Sequence, residues 1–236
     1  DGLAKVDAES AAAGEIVAIG GIEDISIGET IADKDNPVAL PTIDIEEPTV
    51  KMTFSVNNSP FAGREGQYVT SRHLADRLKK EIETDVALRL APTENFDSWI
   101  VSGRGELHLE ILIEKMRREG FEFQVSRPQV IFHEKDGKKL EPIERVSVEV
   151  PEEFTGTVIE EMGKRKGLMV DLRMEPNPAG GNIGYLEFLV PTRGLIGFRN
   201  LFLTKTKGQG IMNSIFEDYE EFKGDFESNP HGSLVA

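Results

Sequence analysis

The run Ser102-Gly103-Arg104-Gly105-Glu106-Leu107-His108-Leu109-Glu110 concentrates more chemistry than any other stretch of the chain. Two glycines ahead of an apolar-periodic segment leave bare backbone N–H groups at a helix N-terminus, an arrangement suited to anions. Glu106 falls in the first turn, where the helix dipole favours a carboxylate. Capping and packing alone would use the same residues, so the motif by itself does not define a reaction. Elsewhere no Gly-x-x-x-x-Gly-Lys-Ser/Thr run occurs, and nothing in the sequence cradles a triphosphate. His73, His108, His133 and His231 show no His-Glu-x-x-His or other ligand spacing, so no metal and no catalytic set are expected. The absence of cysteine excludes disulfides, thiolate zinc sites and a thiol nucleophile, and it fits a reducing cytoplasm.

Charge gives the second set of candidates. The net charge of -15 argues against a polyanionic partner, but it is unevenly spread. Residues 1–50 hold twelve acidic residues against Lys5 and Lys34, whereas Phe188 to Phe216 holds Arg193, Arg199, Lys205 and Lys207 and no acid. Lys164-Arg165-Lys166 forms a second basic cluster. These seven residues are the candidates for contacts with phosphate, weighed against a merely solvated face.

The elements that must position them follow from periodicity. Ala13–Gly21 and Ile25–Ile31 read as short strands with too little apolar material for a core of their own, and Asp33–Pro37 through Pro48 as a linker. Val50–Val56 alternates as a half-buried strand; Leu74, Leu78 and Ile82 mark a helix capped at Thr70 or Ser71; Val86–Leu90 and Ser98–Ser102 are strands. Leu109, Leu112, Ile113 and Met116 mark a second helix, ended by Gly120, with Leu109, Ile113 and Met116 assigned to its buried face. Phe121–Val125 closes a β-α-β-β-α-β set. The order then recurs: strand Val146–Val150, a helix through Phe154, Val158, Ile159 and Met162, strands Leu168–Met174 and Ile183–Val190 around the turn Glu175–Asn182, a short helix through Leu195, Phe198, Leu201 and Phe202, and strand Ile211–Tyr219. Two split-βαβ units of this kind predict an α+β chain with tandem ferredoxin-like domains. The RNP pattern of small RNA-binding domains is missing from Ile183–Phe188. No segment approaches the roughly 18 to 20 apolar residues of a membrane span, and residues 1–7 lack the features of a signal peptide.

The motif Gly103-Arg104-Gly105-Glu106-Leu107-His108-Leu109-Glu110, followed by Arg127-Pro128-Gln129-Val130, resembles domain III of elongation factor G and its relatives. Residues 145–223 resemble domain V, and Ala13–Ile19 with Gly28-Glu29-Thr30 resembles the end of the domain II β-barrel. Ser59-Pro60-Phe61-Ala62-Gly63-Arg64-Glu65-Gly66 and Pro191-Thr192-Arg193-Gly194-Leu195-Ile196-Gly197-Phe198-Arg199 are similar to the version found in the TypA/BipA family of translational GTPases. That family, too, lacks a domain IV between the repeats.

The resemblance implies the end of a β-barrel and linker (1–47), a domain III-like unit (48–134), a domain V-like unit (143–223) and a tail (224–236). It implies a GTPase domain, with its GTP and magnesium, ahead of residue 1 and a further domain after the second repeat, so that this segment needs no cofactor and neither binds nor hydrolyses GTP. It also implies a cytoplasmic, monomeric factor that binds ribosomal RNA and ribosomal proteins in ribosome assembly and stress-adapted growth, through Lys164, Arg165, Lys166, Arg193, Arg199, Lys205 and Lys207. Two rivals remain open on the residues alone: a stand-alone ferredoxin-like hydrolase using Asn182 or Asn200, and a protein-interaction module whose cations are incidental.

Overall fold

Val50, Met52 and Phe54 are buried while Lys51, Thr53 and Ser55 are half-exposed, and this alternation seeds the first sheet. The computed structural model describes residues 7–22, 25, 27–41, 47–178 and 180–226. Residues 1–6, Ser26 of an expected strand, Ala179 of an expected turn, His231 and the tail from 227 lie outside the described residues.

Two units divide the chain, Asp1–Asp44 and Ile45–Ala236. In the first, the described residues form turns and extended chain without a strand, which corrects the expectation of strands at Ala13–Gly21 and Ile25–Ile31. Ile16, Val17, Ile19 and Ile31 are all exposed, and among the described residues no neighbouring strand accepts the backbone groups of these segments. Local bonds are found instead: Glu15 N donates to Ala12 O at 3.2 Å, and Thr30 Oγ1 accepts from Leu40 N at 3.1 Å.

The second unit holds β1 (Val50–Val56), α1 (Ser71–Thr84), β2 (Arg89–Pro92), β3 (Ser98–Gly103), α2 (Glu106–Arg118), β4 (Phe123–Val125), β5 (Gln129–Val130), β6 (His133–Lys135), β7 (Lys138–Pro151), α3 (Glu152–Lys164), β8 (Leu168–Pro176), β9 (Asn182–Pro191), α4 (Thr192–Leu195), α5 (Phe198–Lys205) and β10 (Ile211–Glu221). The first sheet runs β2-β3-β1-β4, with β5 also on β1; the second runs β10-β7-β9-β8, with β6 on β7. Both are the split-βαβ order, all pairs antiparallel. The expected α+β architecture with two ferredoxin-like sheets is therefore present. Each sheet buries one face under its two main helices. Phe54, Leu78, Leu109, Leu112 and Met116 fill the first core, and Val146, Val158, Met162, Phe188, Phe198 and Phe202 the second.

Several local readings shift. Thr70 caps α1, its Oγ1 accepting from His73 N at 3.3 Å. The strand expected at Val86 starts at Arg89, because Asp85 Oδ1 takes Ala87 N at 3.0 Å and turns the chain first. On α2 the buried residues are Leu109, Leu112 and Met116, and Ile113 is only partly covered. The short helix of the second repeat breaks at Ile196-Gly197 into α4 and α5. Finally, β6 and the start of β7 belong to the second sheet, so the two sheets part between Val130 and His133.

Candidate nucleic-acid interface

Helices α3 and α5 cover the second sheet side by side. Arg165 at the end of α3 lies over the Phe198 ring at the start of α5 (4.3 Å to the centroid), while Lys207 beyond α5 lies 5.5 Å over Phe154 in the first turn of α3. The two helices are thus antiparallel: Lys164–Lys166 lie at one end of the pair and Lys207 at the other, with Lys205 reaching Glu161 across the shared face. A buried carboxylate organises that face. Glu161 Oε1 lies 3.1 Å from Lys164 Nζ and 3.8 Å from Lys205 Nζ, and Oε2 lies 2.9 Å from Arg165 Nη1. Burial alone would raise the Glu161 carboxyl, but the hydrogen bonds from Lys164 and Arg165 prevail and hold it below its ordinary range. Lys164 also reaches Glu160 at 2.7 Å, and the hydrogen bonds it donates to these two glutamates raise its ammonium above the ordinary value. Lys166 and Lys207 are exposed, both with positive φ, and carry no ion pair among the described residues.

The remaining two candidates part company with this face. Arg193 is corrected from a surface cation to an internal tie. Its side chain is 13% exposed, ion-paired to the fully buried Glu141, hydrogen-bonded to Gly224 O, and stacked between the Phe222 and Phe226 rings at 4.4 and 3.9 Å. Its Nε and Nη2 donors are committed to Glu141 and Gly224, inside the fold rather than on the surface. Arg199 is exposed but lines a cleft of about 600 Å³ between the two ferredoxin-like halves, together with Arg104, Glu106, His108, Glu144 and Asn213. The continuous stripe expected from Arg193 to Lys207 is therefore three separate environments.

The glycine motif forms the wall of that cleft. Gly103 ends β3 against His108, where an added Cβ would come within 3.0 Å of Nδ1. Gly105 caps α2 with extended backbone and no side-chain bond. Thr49 Oγ1 donates to Arg104 O at 2.7 Å, fixing the turn to the start of β1. Glu106 reaches across to the second half, its Oε2 accepting from Gly197 N at 2.9 Å; Gly197 takes the left-handed φ of 70° that lets α5 begin there. Ile196 packs beside the first core. One turn along α2, the Glu110 carboxyl is raised by burial and by the Glu106 charge, with Arg199 pulling the other way. The motif is thus the joint between the halves, with its carboxylate spent on a backbone N–H.

Among the described residues no group of three or more His, Cys, Asp or Glu side chains could hold a metal ion. The Asn182 amide is tied to Glu152 Oε2 at 2.9 Å, and Asn200 O accepts from Thr204 Oγ1. No helix of the described residues is long and apolar enough to cross a membrane. Residue-type reasoning missed Glu141 and Glu161. The i, i+4 spacing of Glu161 and Arg165 was the available signal for the second; Glu141, 52 residues from Arg193, gave none.

Two ferredoxin-like units in series, joined through a Gly-x-Gly-Glu-Leu-His turn, define an elongation factor G-like chain. Residues 67–127 match the family described as "Elongation Factor G, domain III", and residues 138–230 match "Elongation factor G C-terminus". Over 236 residues the chain is 53% identical to the large ribosomal subunit assembly factor BipA of Bacillus subtilis and 51% identical to that of Synechocystis, covering all of this chain and 38% and 39% of those proteins. It is 51% identical over 232 residues, 98% of its length, to a putative elongation factor TypA-like protein of Arabidopsis thaliana, of which it covers 34%. The chain belongs to the TypA/BipA family, and it spans little more than a third of the length of these relatives.

Proposed function

We propose that this chain is the ribosome-contacting part of a BipA-like GTP-binding translation factor, and that its α3/α5 face meets ribosomal RNA. The observation that carries the reading is the meeting of Lys164, Arg165 and Lys205 around Glu161 on the α3/α5 layer, with exposed Lys166 and Lys207 at the two ends of the same helix pair, in a chain whose net charge is -15. Packing an antiparallel helix pair needs no such concentration. A phosphate backbone opposite it gains from each neutralised charge, because condensed counterions are released. The relatives named as assembly factors of the large ribosomal subunit supply the class of partner. GTP chemistry belongs to a part of the protein outside this sequence, which has no phosphate-binding Gly-Lys-Ser/Thr loop. The role assigned to these two halves is to carry ribosome contact to that part.

The test is co-sedimentation of the full-length protein with ribosomes across a salt series. Lys166→Glu with Lys205→Glu and Lys207→Glu is expected to weaken pelleting most at low salt, with circular dichroism unchanged. Identical pelleting of variant and parent at every salt concentration would return the lysines to a solvated face.

A further inference from the structure

Glu161 stands where the periodicity of α3 calls for an apolar side chain. The buried face of that helix runs through Phe154, Val158, Glu161 and Met162, and Glu161 is 7% exposed. Burying a carboxylate costs solvation that an apolar side chain of similar size would not lose. Core packing therefore gives no reason for an acid here, and the reason has to lie in its partners.

Three cations from two helices surround it. Lys164 Nζ and Arg165 Nη1 come from the end of α3, at 3.1 and 2.9 Å, and Lys205 Nζ comes from the end of α5, at 3.8 Å. Arg165 Nη1 also donates to Glu161 O at 2.8 Å while the guanidinium rests on the Phe198 ring, so this group works inside the fold. The two lysines differ from it. Their side chains are about half exposed, and an ammonium carries three N–H donors. Lys164 gives one to Glu161 and one to Glu160, and Lys205 faces Glu161, so each keeps a donor for a group arriving from solvent. Lys164, Arg165, Lys166 and Lys205 outnumber Glu160 and Glu161, and the cluster stays positive. A lysine free in water gives up rotamer freedom when it docks on a phosphate; one already held by a carboxylate has given it up beforehand.

Resting on the ribosome reading, we propose that Glu161 is a positioning residue, which holds Lys164 of α3 and Lys205 of α5 at a fixed spacing so that both meet an RNA backbone together. Its negative charge then strengthens RNA contact instead of opposing it. Charge alone demands the reverse, because removing an anion from a basic face tightens RNA binding and steepens its salt dependence.

The experiment compares full-length parent, Glu161→Gln and Glu161→Leu in co-sedimentation with purified ribosomes across a salt series, read on variants that keep the parent's circular dichroism. Glu161→Leu suits the apolar stripe and retains the fold even if the buried amide of Glu161→Gln loosens it. Binding several-fold weaker, with a salt slope lower by roughly one unit for each lysine released, is the expected result. Lys205→Ala should lower the slope on its own and add little in the Glu161→Leu background, since the carboxylate acts through this lysine. Tighter or unchanged binding, a loss of affinity at the parent's slope, or full additivity with Lys205→Ala would each overturn the positioning role and leave the ribosome reading standing. A parent protein that fails to pellet, or pellets without salt dependence, would overturn both.

Discussion

His108 Nε2 lies 2.7 Å from Asp85 Oδ2, while Nδ1 of the same ring accepts Arg104 N–H at 3.3 Å. A ring nitrogen that accepts from a backbone amide carries no proton, so the proton sits on Nε2 and is donated to Asp85. The histidine of the motif thus ties the β3–α2 turn to the end of α1. Burial pushes the Asp85 carboxyl up, but the His108 and Ala87 bonds outweigh it and hold the group below its ordinary value. His108→Phe, which keeps the ring and removes both bonds, should destabilise the chain by about 1 to 3 kcal/mol in chemical denaturation. An unchanged midpoint would mean the histidine only fills space.

Breaking the Arg193–Glu141 pair should be costly. Either Arg193→Ala or Glu141→Ala leaves a charge uncompensated in a buried place, and a loss of roughly 3 to 5 kcal/mol is expected. Urea unfolding followed by tryptophan-independent circular dichroism reads it. A loss under 1 kcal/mol would put Arg193 back among the surface cations.

Core position is tested on α2. Leu112 is 2% exposed and Ile113 only partly covered, so Leu112→Ala should cost about 2 to 5 kcal/mol and Ile113→Ala distinctly less. The reverse order of midpoints would show that the helix is rotated.

Glu122 clamps the loop ahead of α1, its Oε1 accepting from Gly63 N at 2.7 Å and its Oε2 from Glu65 N and Gly66 N at 3.0 Å. The clamp carries a pH signature. Backbone N–H bonds from Gly63 and Glu65 lower this carboxyl from its usual value to about 2. A depressed folded value means the contribution to stability is fully present above the unfolded value of roughly 4.3 and is lost as pH falls toward 2. Amide exchange at Gly63, Glu65 and Gly66 should therefore stay slow at pH 5 and accelerate only below about pH 3. In Glu122→Ala the same amides should exchange fast at every pH. Slow exchange in that variant would mean the loop is ordered by something else.

At the joint, Glu106→Ala removes the acceptor for Gly197 N–H. Protection of that amide should drop while amides of β1 and β9 keep theirs. Small-angle scattering should report a wider distribution of distances between the halves. No change in either measurement would place the joint's strength in Ile196 packing alone.

Much of this architecture was readable because periodicity encodes burial. The alternation from Val50 to Val56 matches β1 residue for residue, and the Phe154–Val158–Met162 spacing matches the buried face of α3. Segments governed by pairing were less legible. Ile25–Ile31 alternates as a strand would, yet local periodicity says nothing about whether a partner strand is present in the chain. Among the cations, linear proximity grouped Arg193 with Arg199 and Lys205, but a side chain's fate depends on what the fold puts opposite it. For Arg193 that is Glu141, brought in from the first half of a 14-residue strand whose length the sequence reading cut short.

The distance from the joint to the far end of the first sheet has a mechanical consequence. Strand β1, seven residues long, runs from one to the other, which at about 3.3 Å per residue is a lever of roughly 23 Å. A turn of about 10° at the Glu106 corner would swing the far end of that arm through roughly 4 Å. The joint thus works as a gear: a rotation too small to disturb either core becomes a displacement as large as an atom at the loops around Phe61 and Phe96.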